Sequence, residues 1–262
     1  MPDSTSTEKP HLPSWIPDLF TAFGSHVKDL DRVLHLSMTG IARLRAERQF
    51  LKLITVIDGR DATPAELARA EDEATLAQSE VENGFPLLHE QATVALWGSL
   101  ETLVRSFVSG WLENRADAWQ AEAVRRLRVR LGDYHSLPPA DRCLWVVDLL
   151  DQEIGGPLRN GVGRFEALLA PFSLAGPLEA GLQKTLFELS QVRNAIVHRR
   201  AAADRRFVEA CPWLSLAVGD RLRVTHKMWG AYSTASFEYG LELLQRARES
   251  GGLERWVPPS LE

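Results

Sequence analysis

The chain has 262 residues, of which 45% are hydrophobic, so it can bury the core of one large domain or of a domain with a helical extension. Its formal net charge of -5 argues against a protein that coats nucleic acids, because such binding depends on many contacts between cations and phosphates. Cys143 and Cys211 lie far apart and belong to no Cys-x-x-Cys pair, which argues against structural zinc and against a disulfide framework.

The N-terminal segment and the hydropathy pattern predict a protein without membrane attachment. Residues 1–13 are polar and rich in proline, and we expect them to form a mobile tail. No apolar run approaches the roughly 18 residues that a membrane-spanning helix needs. We therefore expect a soluble protein in a reducing, cytoplasmic setting, with no membrane partner.

Helical spacing of apolar residues begins after this tail. It extends over residues 15–57, and we expect Gly24 and Gly40 to break or bend this stretch.

A second helix is predicted by its start signals. Thr63 and Pro64 have the pattern of an N-cap residue and a first helical residue, and they predict a helix over residues 65–82. Residues 14–84 are thus predicted to form an N-terminal helical extension.

Three further helices are predicted in the middle of the chain, over residues 86–115, 117–131 and 139–154. The second of them carries the densest positive charge in the sequence, from Arg125, Arg126, Arg128 and Arg130. An arginine-rich helix is usually a solvated face. The alternative is that it lines a path for RNA, if folding brings it near His198.

The most informative stretch is residues 182–200. Its apolar residues recur at steps of three and four: Leu182, Leu186, Leu189, Val192 and Ile196. This spacing places them on one face of an α-helix, and that face must be buried.

A polar cluster interrupts the end of this apolar pattern: Arg193, Asn194, His198, Arg199 and Arg200. At about 100° per residue, Arg193 points along the apolar stripe, while Asn194 and His198 lie one turn apart on its flank. An arginine there must be paired, stacked or directed into a wet cleft. A purely structural interpretation is that Arg193 pairs with a buried carboxylate, Asn194 bonds to backbone and the basic residues cap the helix dipole.

The spacing Arg-x4-His occurs three times, in residues 130–135, 193–198 and 221–226, so the spacing alone decides nothing. Gly132 and Asp133 are expected to break a helix in the first match. The third match alternates in polarity and is interpreted as a strand. Only the second lies near the end of a long amphipathic helix and has asparagine directly after the arginine.

The C-terminal part is predicted to contain one small β-hairpin and one long helix. Residues 214–218 and 221–225 flank a Gly-Asp pair at 219–220, which is typical of a two-residue hairpin turn. A helix is predicted over residues 227–249, and residues 251–262 are expected to form a tail.

The motif resembles that of a known family. Arg193-Asn194-Ala195-Ile196-Val197-His198 is similar to the R-x4-6-H signature of the HEPN superfamily (higher eukaryotes and prokaryotes nucleotide-binding), whose variants often have asparagine after the arginine. The likeness continues through HRR, Asp204, Phe207, Cys211-Pro212-Trp213, Gly219-Asp220 and the last helix. It covers roughly residues 85–250 and implies a mainly α-helical protein, a HEPN-like bundle with the N-terminal extension and the hairpin.

The resemblance also implies an activity, because many HEPN domains are metal-independent endoribonucleases. Arg193, Asn194 and His198 would then be catalytic, and Arg199 and Arg200 would bind RNA, with no metal or other cofactor. Two protomers would bring their motif helices together in a homodimer. Cleavage would leave 2′,3′-cyclic phosphate and 5′-hydroxyl ends, and a toxin or defence effector with an inhibitory or defence-system protein partner is the role we expect.

Two other classes stay open at this stage. HEPN-like proteins include non-catalytic binding or assembly modules for nucleotides or proteins, and the acidic charge and helical extension suit such a role. A metal hydrolase is disfavoured, because His198 and His226 lack nearby ligands at metal-binding spacing.

Overall fold

The structure, a computed structural model, describes residues 12–154 and 161–255. Eleven α-helices follow one another in these ranges: α1 (Trp15–Leu44), α2 (Glu47–Ile57), α3 (Pro64–Glu82), α4 (Pro86–Asn114), α5 (Glu122–Arg126), α6 (Leu131–Ser136), α7 (Pro139–Ile154), α8 (Val162–Leu169), α9 (Ala180–Arg199), α10 (Arg205–Ala210) and α11 (His226–Ser250). The described chain is thus mainly α-helical, as predicted, and none of these helices is long and apolar enough to cross a bilayer. The predicted tails lie outside it over residues 1–11 and 256–262.

The predicted start signal of α3 is confirmed. The Thr63 hydroxyl accepts the backbone N–H of Glu66, and the Glu66 carboxylate accepts the backbone N–H of Thr63 at 2.8 Å, while Pro64 is the first helical residue. This reciprocal capping box satisfies two N–H groups that a helix start leaves without a partner.

The expected break of the first helix at its glycines is wrong. α1 continues through Gly24 and Gly40 and ends only at Leu44. A glycine costs about 1 kcal/mol relative to alanine inside a helix, which packing of a long helix readily outweighs. Gly24 is buried, and a Cβ atom built there would lie in van der Waals contact with the Phe237 ring, at 3.4 Å.

The predicted helix over residues 117–131 is also wrong. A 3₁₀ turn at Ala116–Gln120 and the short helix α5 replace it, because extended residues interrupt the helix at Ala121 and Leu127. The Trp119 indole donates to the carbonyl of Leu112 at 2.7 Å and holds the 3₁₀ turn against the end of α4. The four arginines of this region are exposed and do not share one helix.

The first Arg-x4-His match forms a short helix, although its glycine and aspartate predicted a helix break. Leu131–Ser136 is α6, and Arg130 has the extended backbone of a residue that precedes a helix. A glycine within a helix lowers its stability but does not prevent it from forming.

The predicted β-hairpin is not formed in the described chain. Residues 201–203, which leave α9, take the hydrogen-bonding groups that a hairpin would use. Ala203 donates to the carbonyl of Asp220 at 2.9 Å and Leu222 donates to that of Ala201 at 2.7 Å, so that Ala202 and Arg221 form a single antiparallel bridge. Residues 201–203 therefore take the place that the neighbouring strand of a hairpin would occupy.

The chain divides into two compact units. The aromatic unit consists of the described parts of Met1–His26, Trp97–Ser190 and Thr234–Glu262. Its core centres on Phe107, whose ring centroid lies 5.8 Å from that of Trp15 and 5.6 Å from that of Trp111.

The motif unit consists of Val27–Leu96 and Gln191–Ser233. It therefore joins part of the predicted extension to part of the predicted HEPN-like domain; that domain division stays a prediction. Its buried side chains include Trp229, whose indole donates to the Asp31 carboxylate at 3.0 Å. The predicted site residues all belong to this unit.

Candidate functional site

The predicted site lies where α9 emerges from the protein interior. Leu189 and Val192 are fully buried and Arg193 is half-buried, whereas Asn194 and His198 are exposed. The burial predicted for the apolar stripe is confirmed at its centre. The last turn of α9 thus presents its polar groups to solvent, where a substrate can reach them.

Arg193 and Asn194 contact one another directly. The guanidinium Nη1 of Arg193 donates to Oδ1 of Asn194 at 3.1 Å. This hydrogen bond fixes the asparagine side chain, because its carbonyl oxygen is engaged and its two N–H donors remain on the exposed side. The pair presents a planar cation and an amide together, a combination suited to phosphate oxygens.

Two consecutive residues with left-handed backbone conformation end the motif helix. Arg200 has φ 54° and Ala201 has φ 60°, and the N–H of Ala201 bonds to the carbonyl of Ala195 at 3.0 Å. The position is usually taken by glycine, because a Cβ atom makes this conformation unfavourable. Such strain persists only where neighbouring contacts enforce it, and here Arg199 forms an ion pair with Asp204, the N-cap residue of α10.

Two substitutions of Arg200 can separate the effect of its charge on stability from the effect of its backbone strain. Replacing Arg200 with glycine should raise the free energy of unfolding by roughly 0.5–1 kcal/mol, because glycine adopts φ > 0 freely. Arg200→Ala removes the same charge but retains the strained Cβ atom, so its stability should stay close to that of the wild type. Urea denaturation of the three proteins measures the difference, and a glycine variant less stable than the alanine variant would contradict the assignment of strain.

The bridge between Ala202 and Arg221 joins the start of the third Arg-x4-His match to the turn that follows the second. Arg221 lies two residues beyond Gly219, whose N–H bonds to the carbonyl of Ala203 at 2.8 Å. From Arg221 to Thr225 exposed and buried residues alternate, so that Arg221 and Arg223 share the exposed face. The end of the motif helix and the exposed face of this segment, which the bridge joins, are together called the candidate surface.

A residue of α4 and the residue that follows α3 support the two arginines of the extended segment. Arg221 lies 3.4 Å from the carboxylate of Glu90, which is only 6% exposed, and Arg223 donates to the side-chain carbonyl of Asn83 at 2.9 Å. The contacts hold both cations in place while leaving donors on each guanidinium for another acceptor.

At the start of α11, the exposed His226 contacts the buried His89. Nε2 of His89 lies 3.3 Å from Nδ1 of His226, and Nδ1 of His89 lies 2.9 Å from the carbonyl oxygen of Phe85. A carbonyl oxygen only accepts, so Nδ1 of His89 must carry a proton. His89 is fully buried, and burial, followed by the nearby charge of His226, lowers its pKa.

These constraints assign the protons of the pair. Neutral His89 has a lone pair on Nε2, so His226 must donate its Nδ1–H to it. The exposed Nε2 of neutral His226 then has its lone pair free to accept a proton.

Sequence reasoning thus found one part of the candidate site and missed the other. Arg193, Asn194 and His198 share the end of α9, as predicted, and Arg199 is engaged by Asp204. His226 follows a segment that alternates in polarity like a strand, and His89 belongs to a helix with no motif, so neither histidine carries a comparable signal. No signal in one sequence could have paired residues that lie 137 positions apart.

No group of three or more His, Cys, Asp or Glu side chains is arranged to hold a metal ion within residues 12–154 and 161–255. Comparison with protein-family models, with curated proteins and with solved structures finds no match to this chain.

Proposed function

We propose that the protein is a metal-independent endoribonuclease of the HEPN type, with Arg193, Asn194 and His198 as its catalytic residues. The observation that supports this proposal most is the end of α9, where the hydrogen-bonded Arg193–Asn194 pair and an exposed histidine one turn away adjoin a strained turn. Backbone strain of this kind clusters at functional sites.

The chemistry requires three functions, and these residue types can supply them. A base must remove the 2′-proton of the ribose, so that the 2′-oxygen attacks phosphorus, and an acid must protonate the 5′-oxygen as the P–O5′ bond breaks. Imidazole, with an unperturbed pKa near 6.5, suits proton transfer at neutral pH. The planar fork of Arg193 would bind the phosphate and its developing charge, and Asn194 would orient His198 or bind the phosphate.

The active form in this proposal is a homodimer. Arg193 and His198 diverge by about 140° around a straight helix, so one helix alone presents them poorly to a single phosphate. Two motif helices facing one another across a two-fold axis would surround the phosphate with both residue types. Arg200 would add a contact to the RNA backbone, as would Arg199 with the part of its guanidinium that Asp204 leaves accessible.

The biological role in this proposal is that of a toxin or defence effector in the cytoplasm. Transfer RNA or messenger RNA would be the substrate, and an inhibitory or defence-system protein would control the enzyme. The acidic chain charge of -5 favours a selective contact over general RNA binding.

A second candidate function, a binding or assembly module, is favoured by α2. Its single buried residue is Thr55, whereas five of its six large apolar side chains are half or more exposed: Phe50, Leu53, Ile54, Val56 and Ile57. A helix that presents its apolar face outward is typical of a surface that contacts another protein.

Incubation of the purified protein with bulk RNA in EDTA distinguishes the two functions. The ribonuclease should shorten the RNA with time although all divalent metal ions are chelated. Intact RNA, together with a stable complex in a mobility-shift assay, would contradict catalysis and support the binding module.

A further inference from the structure

The contact between His89 and His226 has a chemical consequence that the motif on α9 does not use. His226 is held in one tautomer by a buried partner, with its outer nitrogen exposed to solvent. A histidine whose Nδ1–H is bonded to a fixed acceptor is the arrangement that prepares Nε2 to accept a proton, because the acceptor stabilises the imidazolium that forms.

The exposed residues that flank His226 in sequence are suited to an anionic substrate. Lys227 follows His226, and Arg221 and Arg223 lie on the exposed face of the segment that precedes it. Of the neighbouring acidic groups, Glu90 contacts Arg221 and is only 6% exposed, and the exposed Asp220 accepts the backbone N–H of Ala217. Three cations thus lie within five residues of His226 along the chain.

The backbone connects this group to the motif helix within the motif unit. Arg221 forms the bridge with Ala202, which lies two residues beyond Arg200. The histidine of the third Arg-x4-His match and that of the second thus lie on two segments that this bridge joins. RNA cleavage needs two proton transfers at different oxygens, and His226 offers a second histidine on the same chain as His198.

We propose that His226 is a second catalytic residue, the general base that removes the ribose 2′-proton, and that His89 is its positioning residue. The inference rests on the ribonuclease function proposed above. Nε2 of His226 takes the proton of the 2′-hydroxyl as the 2′-oxygen bonds to phosphorus, and the P–O5′ bond breaks. Protonated His198 then gives its proton to the departing 5′-oxygen. In one cleavage His226 therefore gains one proton and His198 loses one.

Two oligoribonucleotide substrates separate the base from the acid, one with a normal phosphodiester and one with sulfur in place of the bridging 5′-oxygen. A thiolate departs without a proton, so the sulfur substrate makes the acid unnecessary. His198→Ala should be slow on the normal substrate and recover on the sulfur substrate. His226→Ala should be at least about 100-fold slower than wild type on both.

Substitutions of His89 test its positioning role. His89→Leu removes the acceptor and should slow cleavage by about 10-fold or more, whereas the side-chain carbonyl of His89→Gln can accept the His226 proton and should restore most of the rate. Nitrogen-15 NMR provides a readout independent of activity. His226 should carry its proton on Nδ1 in the wild type and on Nε2 in His89→Leu.

The outcomes distinguish the two proposals. Wild-type protein that cleaves no RNA refutes the ribonuclease function, and the role of His226 with it. If the wild type cleaves and His198→Ala does not, but His226→Ala cleaves like the control His135→Ala, only the present inference is overturned. A proton on Nε2 of His226 in the wild type would overturn it as well, and recovery of His226→Ala on the sulfur substrate would show that His226 is not the base.

Discussion

The variant His198→Ala should lose ribonuclease activity while retaining the wild-type fold. The imidazole is exposed at the end of α9, so its removal should change the free energy of unfolding by no more than about 0.5 kcal/mol. Loss of one acid or base should lower the cleavage rate by about 10² to 10⁴. Initial rates on RNA in EDTA, with circular dichroism and thermal melting of the same preparation, measure both effects.

A matched control is available within the chain. His135 is also exposed and also lies five residues after an arginine, Arg130, but it belongs to the aromatic unit. His135→Ala should cleave RNA like the wild type. If both variants cleave RNA at the wild-type rate, His198 is not catalytic. If both variants lose the same amount of activity, the loss is not specific to the motif.

The variant Arg246→Met should unfold far more readily than the wild type. Arg246 is 8% exposed, and its guanidinium contacts the Glu166 carboxylate at 2.9 Å and the carbonyl of Leu174 at 3.2 Å. Removal of the arginine leaves the poorly solvated Glu166 carboxylate without its cation. Such a loss typically lowers the free energy of unfolding by about 3–5 kcal/mol. The Tyr239 phenol donates a hydrogen bond to the same carboxylate. Burial together with the Glu166 charge raises the pKa of Tyr239, so the phenol stays a neutral donor.

Two further variants test this explanation. Arg255 is 53% exposed and contacts the carboxylate of Glu242, which Arg246 also contacts. Because exposed ion pairs contribute little, Arg255→Met should have a stability close to that of the wild type. Neutralising the stranded carboxylate in the double variant Arg246→Met/Glu166→Gln should recover part of the loss. Chemical denaturation that finds Arg246→Met as stable as Arg255→Met would contradict the buried ion pair's importance.

Local rules predicted those helices whose signals are local. The Thr63–Glu66 capping box and the apolar spacing of residues 182–200 depend on neighbours within one or two turns, and both are confirmed. The hairpin failed because its outcome depended on a competition with residues 201–203, and neither propensity nor turn chemistry describes that competition.

The candidate site divides in the same way. A single motif contains Arg193, Asn194 and His198, so their grouping at one helix end follows from the sequence. The contact of His89 with His226 requires α4, the extended segment and the start of α11 to meet, which is a property of the tertiary fold. The left-handed backbone conformation of Arg200 could not be predicted from the sequence either, because arginine gives no local signal for that conformation.

Analysis of the RNA ends produced in EDTA tests the central claim most directly. Attack by the ribose 2′-oxygen, with proton transfer by His198, predicts fragments that end in 2′,3′-cyclic phosphate and begin with 5′-hydroxyl, formed by the wild type and by His135→Ala but not by His198→Ala. Fragments with 5′-phosphate and 3′-hydroxyl ends, or the same cleavage by His198→Ala, would contradict the account.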